Sequence, residues 1–213
     1  LSGGIDVAPD GGKGWRDEWT EKLIAIGVKK HQIYNPCRKP LEGTAFNLDD
    51  EAKIMRDLRH KKQWDKMSQV MSQIMHIDLR LVDKSDIVLA NFPKINEDYP
   101  VFRKIDELWK ETSSDDIGDV GMEIISLLKN FCLSLRVPTY GSIHEIVIAI
   151  QQRKPVYIVW EDTGLEDCSA WLMKLVGYKN VFSCVEDLID HLVELSSGKA
   201  AINAKDWLLI NNH

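Results

Sequence analysis

The chain has 213 residues, of which 44% are hydrophobic and 28% are charged, which is ordinary for a soluble globular protein with one large domain. Its formal net charge of −6 argues against a protein that binds a nucleic-acid backbone, because such proteins usually carry a basic patch. No apolar run approaches the roughly 20 residues of a membrane span, and no signal peptide is recognisable. We therefore expect a cytoplasmic protein with no membrane partner and no nucleic-acid partner.

The cysteines and histidines give no sign of a metal centre. The four cysteines lie far apart, at positions 37, 132, 168 and 184, without a C-x-x-C pair or zinc-site spacing. We interpret them as reduced and mostly buried thiols. His76 and Asp78 form one isolated H-x-D pair, whereas a metal site needs several ligands. The sequence therefore predicts no metal and no cofactor.

The chain opens with the end of a strand that enters a glycine-rich loop. Leu1 to Asp6 form the strand end, a few residues are expected to precede Leu1, and the loop continues to Gly14. α/β folds build phosphate or sugar sites from a strand, a glycine-rich loop and a helix, because the backbone N–H groups of the loop approach the ligand closely. The loop matches neither the P-loop nor the dinucleotide fingerprint, so a loop without a ligand is the alternative.

Two further elements are predicted before the second half of the fold. A helix from Trp15 to Ile26 places four apolar side chains on one face, namely Trp15, Trp19, Leu23 and Ile26. Gln32 to Asn35 predict a short second strand. Residues 50–75 are polar and helical, as one long helix or two. The basic first half of that segment favours a solvated face, with a clamp for an anion as the alternative.

The next strand brings the first polar site residues. Residues 77–86 predict a helical turn that delivers Asp78 near the edge of a buried parallel strand, Ile87 to Phe92. Asn91 stands at the carboxyl end of that strand, where ligands of open α/β sheets bind. The structural alternative for Asp78 is a helix N-cap. Residues 93–136 predict a helical insertion that covers the site or supplies subunit contacts.

The most informative stretch contains a turn, a buried helix and a buried strand. Pro138 and Gly141 predict the turn, and Val156 to Trp160 predict a parallel strand that is covered on both faces. Between them, Ser142 fits a helix N-cap, and Glu145 falls three residues later, at N3.

Glu145 has two compatible interpretations. Ser-x-x-Glu is the capping box, in which the Glu side chain satisfies the N-cap amide. In the functional interpretation, the first turn of the helix keeps the carboxylate ionised at the carboxyl edge of the sheet, where it is available as a nucleophile or base.

The remaining elements complete the predicted fold. Ser169 to Val176 predict a short helix, Val181 to Val185 the last strand, and Glu186 to Leu195 a helix, before an apolar segment within residues 204–210. The sum is an α/β protein with a small doubly wound, flavodoxin-like or Rossmann-like parallel sheet. We expect one domain over residues 1–213, with helical insertions at about 48–76 and 93–136.

Three stretches carry a family resemblance. The first is LSGGI at Leu1 to Ile5, similar to Y-L-x-G-x-I, with Trp15-Arg16 further on. The second runs from Asp78 to Val88 and is similar to D-L-x-x-I-x-x-(A/S)-D-x-(V/I). The third runs from Gly141 to Val156 and is similar to G-(T/S)-x-x-E-(I/L)-G-x-A-x-x-x-G-K-P-V. Together they resemble the nucleoside 2-deoxyribosyltransferase superfamily, including its nucleoside 5′-monophosphate N-glycosidases, and the first loop resembles a phage-encoded branch.

The resemblance implies an enzyme that cleaves the N-glycosidic bond of a 2′-deoxynucleoside or its 5′-monophosphate and transfers deoxyribose to another base or to water. Glu145 matches the family's nucleophile, which attacks C1′, and Asp78 matches an aspartate that protonates the leaving nucleobase. With Asn91 from the sheet edge, the predicted substrate-binding set is Ser2, Gly3, Gly4, Ile5, Trp15, Arg16, Asn91, Gly141 and Ser142. Ser142 and Arg16 would contact the phosphate of a monophosphate. The resemblance also implies a homodimer or a larger homo-oligomer.

Two other hypotheses remain open. One is a nucleotide-binding or sensing module on the same fold that has lost turnover, favoured by departures from the family pattern at Val147 and Thr139. The other is an unrelated flavodoxin-like protein in which Glu145 is only a helix cap. Geometry separates them, since an enzyme predicts Glu145 and Asp78 in the wall of one pocket. A purely capping role predicts Glu145 turned back onto the Ser142 amide, with no cavity beside it.

Overall fold

The computed structural model describes residues 1–3, 10–38, 51–94, 140–162 and 165–202, together with single helical positions between 107 and 128. The predictions for Gly4, for Ile5, for most of the 93–136 insertion and for the apolar segment at 204–210 lie outside the described residues. In the described part of the chain, no helix is both long enough and apolar enough to cross a membrane.

The described strands form one four-stranded parallel sheet in the order β1-β2-β3-β4. The strands are β1 (Ser2–Gly3), β2 (Val88–Phe92), β3 (Val156–Trp160) and β4 (Val181–Phe182). Strands β2 and β3 pair along their whole length, and every one of their residues is buried. Such near-continuous apolar runs are typical of parallel strands that helices cover on both faces. The predicted α/β fold with a small doubly wound parallel sheet is confirmed.

Helices connect the strands and cover the sheet. They are α1 (Lys13–Ala25), α2 (Glu51–His60), α3 (Trp64–Lys84), α4 (Tyr140–Gln151), α5 (Ala170–Val176) and α6 (Val185–Ser196), with 3-10 turns at Lys30–Gln32, Pro36–Arg38 and Tyr178–Asn180. The helix predicted after the glycine loop is confirmed as α1. The polar segment that was predicted as one helix or two forms two, and the second continues to Lys84.

Two hydrophobic cores lie on opposite faces of the sheet, because successive side chains of a strand point to opposite faces. On the α3, α4 and α5 face, Ala90 and Ile158 pack with Ile146 of α4. On the α1 and α6 face, Leu89 and Tyr157 pack with other fully or nearly buried side chains, including Trp19, Leu23 and Leu188. Full burial of side chains of this size contributes about 1.5–3 kcal/mol each, so these two cores fix the helices that carry the site residues.

Lys154 joins the end of α3 to the segment before β3. Its Nζ donates hydrogen bonds to the backbone oxygens of Val82, at 2.6 Å, and Asp83, at 2.7 Å. A cation at a helix C-terminus satisfies carbonyls that have no partner within the helix, and it interacts favourably with the helix dipole. Lys154 therefore holds α3 beside α4, and these are the helices of Asp78 and Glu145.

Four local predictions are wrong. Gln32 to Asn35 is not a strand, because the Gln32 side chain accepts a hydrogen bond from the Lys29 amide at 3.0 Å and closes a 3-10 turn over Lys30–Gln32. The last strand ends at Phe182 rather than Val185, since Cys184 is the N-cap of α6 and Glu186 and Asp187 occupy its first turn, where acidic residues are favourable.

The other two errors concern the start of α4 and the position of Asp78. Tyr140 is already helical, so Gly141 lies in the helix rather than in a turn, and Ser142 is a buried helical residue rather than the N-cap. Asp78 lies well inside the 21-residue helix α3, which excludes both the short helical turn and the N-cap. Tertiary packing of long helices decides these positions more strongly than the local capping pattern does.

Candidate functional site

The candidate site is organised around a hydrogen bond between the first strand and α4. Ser2 Oγ lies 2.5 Å from Glu145 Oε2, a short distance typical of a hydroxyl that donates to a carboxylate. Ser2 is buried and pairs with Ala90 across the sheet, so its side chain lies on the face that α4 covers. The bond links residues 143 positions apart in the chain, which makes it a product of the tertiary fold.

Glu145 sits in the second turn of α4, between side chains that anchor the helix. Ile146, Ala149 and Ile150 are buried in the core, and Glu145 itself is partly buried at the side of this face. Because Ser142 is inside the helix, the predicted capping box is absent. The hydrogen bond from Ser2, rather than a capping box, holds the Glu145 carboxylate in its orientation.

Burial raises the pKa of Glu145 above its ordinary value, which is opposite to the expected effect of a helix N-terminus. The hydrogen bond from Ser2 acts against burial and lowers this pKa, whereas the nearby carboxylate of Asp78 raises it. The positive charge of Arg16 lowers it. The pKa of Glu145 is therefore set by its burial together with Ser2, Asp78 and Arg16, influences that the capping pattern did not reveal.

Asp78 approaches the same region from α3. This helix packs against α4, and the Asp78 carboxylate is close enough to Glu145 for the two charges to interact. Both side chains line one cavity of about 860 Å³, together with Ser2. The placement of both carboxylates in one cavity wall is the arrangement predicted for an enzyme, and the geometry of a pure helix cap is absent.

The cavity extends well beyond the two carboxylates. It continues past residues 84–88, which lead into β2, and past the segment 31–34, which runs beside β1. Its remaining wall is mainly apolar and includes Ile26, Val28, Leu81 and Leu192. The segments 31–34 and 84–88 add polar and charged side chains to the wall, among them His31, Lys84 and Asp86, so the polar lining extends beyond Ser2, Asp78 and Glu145.

The ends of the glycine loop are held by polar contacts that the sequence pattern did not reveal. Asp10 accepts hydrogen bonds from the amides of Gly12, at 2.8 Å, and Gly14, at 2.6 Å. Gly12 has a φ of 70°, a left-handed conformation that glycine adopts without steric cost. Asp10 therefore shapes the turn that starts α1, and the closely spaced Asp-Gly-Gly sequence was the only available signal for it.

Arg16 is fully buried rather than exposed to a phosphate. Its Nη1 donates to the oxygen of Gly12 and its Nη2 to the oxygen of Gly3, each at 2.7 Å. The guanidinium also stacks on Trp15, 4.3 Å from the ring centroid. The sequence placed Arg16 correctly at the loop, but the backbone carbonyls that it bonds could not be identified from the sequence.

The other predicted binding residues separate into two groups. Asn91 is buried opposite Gly3 in the sheet and, like Leu89, belongs to the face that α1 covers, where Trp15 packs against Gly3. Gly141 is exposed at the start of α4, with open space around it. The structure therefore brings Ser2, Asp78 and Glu145 together in one group, and Gly3, Trp15, Arg16 and Asn91 in a second group on the other side of β1.

A metal centre is not formed by the described residues, since no group of three His, Cys, Asp or Glu side chains among them is placed to hold an ion. Comparison with known proteins finds no matching family model, no matching curated protein and no matching solved structure.

Proposed function

We propose that this protein cleaves the N-glycosidic bond of a 2′-deoxynucleoside or its 5′-monophosphate, with Glu145 as the nucleophile. The observation that carries the proposal is the hydrogen bond from Ser2 Oγ to Glu145 Oε2, in a cavity that Asp78 also lines. Cleavage of an N-glycosidic bond needs a carboxylate near C1′ and a proton donor near the leaving base. Glu145 and Asp78 supply this pair from two packed helices.

In the first step, one Glu145 oxygen forms a bond to C1′ as the C1′–N bond breaks. The electron pair of that bond leaves with the nucleobase, which takes the single proton that the two carboxyl groups share and that Asp78 holds in the reactive form. The product is a glycosyl ester on Glu145. The Ser2 hydroxyl holds one carboxylate oxygen, so the carboxylate keeps a fixed orientation, and fixed orientation of a reacting group lowers the barrier.

In the second step, a second base or a water molecule attacks C1′, and the ester bond to Glu145 breaks. The attacking atom loses its proton to Asp78, and both carboxyl groups return to their starting forms. Attack by a base makes the protein a transferase, and attack by water makes it a hydrolase. Both acceptors use the same two carboxyl groups. We therefore propose which bond is cleaved and do not specify the acceptor.

One observation favours a second candidate, a nucleotide-binding module without turnover. Burial raises the pKa of Glu145, and a protonated carboxyl group is a poor nucleophile. A neutral Glu145 would donate a hydrogen bond to a ligand instead of attacking it. We prefer the enzymatic proposal because Ser2 holds the Glu145 carboxylate in a cavity that a second carboxyl group, Asp78, also lines.

The test is an incubation of the wild type and Glu145→Gln with deoxynucleosides and their 5′-monophosphates, with and without a second base, read by chromatography. We expect free base from the wild type and none from a folded Glu145→Gln variant. Ser85→Ala is the matched control, because Ser85 lines the same cavity but bonds the Val82 carbonyl. Absence of turnover with every substrate, combined with thermal stabilisation by a nucleotide, would support the binding module instead.

A further inference from the structure

We infer that Arg16 is a positioning residue, which fixes both ends of the glycine loop and supplies a buried positive charge to the Glu145 carboxylate. This assignment replaces the predicted contact between Arg16 and a substrate phosphate. The charge effect deepens the proposed function, whereas the fixing of the loop is independent of it. Three features of the structure carry the inference: the hydrogen bonds, the burial and the arrangement of charges.

The hydrogen bonds join two points of the backbone that the loop separates. Gly3 ends β1, and Gly12 is the N-cap of α1. Arg16 bonds the carbonyl oxygens of both residues at 2.7 Å, with one Nη group each. The planar guanidinium holds its donors in a rigid fork, so a single side chain sets the separation of the two carbonyls. A lysine has one ammonium group and lacks this geometry.

Burial and packing leave the guanidinium little freedom to turn towards a ligand. Arg16 has 0% exposure, and Trp15 covers one face of the guanidinium. Trp15 in turn packs closely on Gly3, where an added Cβ would lie 2.5 Å from the indole ring. Arg16, Trp15 and Gly3 therefore form one packed unit at the end of β1. A phosphate contact would require this packed unit to open, because Arg16 is fully covered.

Arg16 and Glu145 are bonded to adjacent residues of β1, since Arg16 donates to the Gly3 oxygen and Glu145 accepts from Ser2. Burial lowers the pKa of Arg16, and the neighbouring Cys37, Glu145, Asp78 and Asp10 raise it. An arginine remains protonated under these conditions, so it places a permanent positive charge near the carboxylates. From the side of Glu145, the facing charged groups are Asp78 on α3 and Arg16 on α1. Arg16 therefore offsets part of the repulsion between Asp78 and Glu145.

The test compares Arg16→Met, which removes the charge and both hydrogen bonds, with Arg16→Lys, which keeps the charge. Leu23→Ala is the control, because it opens a cavity in the core beneath the same helix without changing a charge. The first measurement is the titration of the Glu145 carboxyl carbon by NMR, assigned by its absence in Glu145→Gln. The second is trypsin cleavage after Lys13 at the start of α1, relative to cleavage at Lys61 and Lys62 between α2 and α3.

We expect Arg16→Met to raise the pKa of Glu145 and to increase relative cleavage after Lys13. Arg16→Lys should leave this pKa near the wild-type value but still increase the cleavage. An unchanged titration of Glu145 in Arg16→Met, or the same shift in Leu23→Ala, would overturn the charge role. Unchanged cleavage after Lys13 in Arg16→Lys would overturn the fixing of the loop. This result is decisive even if Arg16→Met does not fold. Neither measurement needs turnover, so failure of the proposed function remains distinguishable from failure of this inference.

Discussion

Ser2 and Glu145 form a direct contact between a strand residue at the start of the chain and a helix residue in its second half, with 2.5 Å between Ser2 Oγ and Glu145 Oε2. The hydroxyl stabilises the ionised form of the carboxylate, because it donates a hydrogen bond to an acceptor that carries the negative charge. The ionisation of Glu145, which lies on α4, is therefore influenced by a residue of β1.

Ser2→Ala should slow base release by about 10-fold to 100-fold, the cost of removing a hydrogen bond to a charged group. It should also raise the pKa of Glu145, so the rise of activity with increasing pH moves to higher pH. The measurement is the pH dependence of kcat/KM. Ser85→Ala, the matched substitution in the same cavity, should leave that dependence unchanged. A slower Ser2→Ala variant with an unshifted pH profile would show that Ser2 is only structural.

Asp78→Asn should lower the pKa of Glu145 in the resting protein, as measured by carboxyl-carbon NMR without substrate. Asp78 raises that pKa through charge repulsion when both groups are ionised, and the substitution removes its charge. The rate should still fall by about 10²- to 10⁴-fold, because the variant has no proton to give to the leaving base. Asp86→Asn is the control, since Asp86 lines the cavity on the side that leads into β2. A rate similar to that of the wild type would remove Asp78 from the mechanism.

Glu145→Gln should stabilise the protein at neutral pH. The pKa of Glu145 is raised in the folded state, so the folded protein binds this proton more tightly than the unfolded chain does. Ionisation therefore lowers the stability of the wild type as pH rises from the unfolded pKa, about 4.3, through the higher folded pKa. The measurement is the free energy of unfolding in urea at several pH values. The stability of Glu145→Gln relative to the wild type should be greater at high pH than at low pH.

The comparison for this pH trend is Ser85→Ala, which changes no ionisable group. Its stability difference from the wild type should be the same at every pH. If the difference for Glu145→Gln is equally independent of pH, the folded pKa of Glu145 is not raised, and the control of its charge that we describe is wrong.

Gly3→Ala should destabilise the protein by about 1–3 kcal/mol, a typical cost of overpacking. The new methyl group would lie 2.5 Å from the Trp15 ring and 3.1 Å from the Asn91 backbone oxygen. In a Trp15→Leu background the main clash is removed, so the cost should fall, as a double-mutant cycle would show. Gly141→Ala is the control for a loss of glycine, because it lies in a helix with open space around it and should stabilise the protein by roughly 0.5–1 kcal/mol. Equal effects at both glycines would contradict the packed unit.

The sequence predicts those parts of the fold that local pattern determines. The apolar runs of β2 and β3 are identifiable because both faces of each strand are buried, and the bounds of β3 agree residue for residue. The helix after the glycine loop is identifiable from the spacing of Trp15, Trp19 and Leu23. The motif resemblance predicts that Asp78 and Glu145 of an enzyme line one pocket, and both residues line the same cavity.

Contacts between distant residues explain what the sequence did not predict. The burial of Arg16 depends on the carbonyl of Gly3, which lies 13 positions earlier. Ser142 has the composition of an N-cap, but the helix begins before it and its side chain is buried. The bond from Ser2 to Glu145 joins residues 143 positions apart, so no local pattern could predict that a residue of β1 influences the pKa of Glu145.

The central claim is that Glu145 becomes bonded to the sugar, and peptide mass spectrometry tests it most directly. The wild type is incubated with a 2′-fluoro-2′-deoxynucleoside or its monophosphate, because fluorine next to C1′ slows breakdown of the intermediate, then quenched in acid and digested. We predict a fluorodeoxyribosyl adduct, with its phosphate where the substrate has one, on the peptide that contains Glu145. Base release by the wild type without an adduct on Glu145, or base release that persists in folded Glu145→Gln, would contradict the claim.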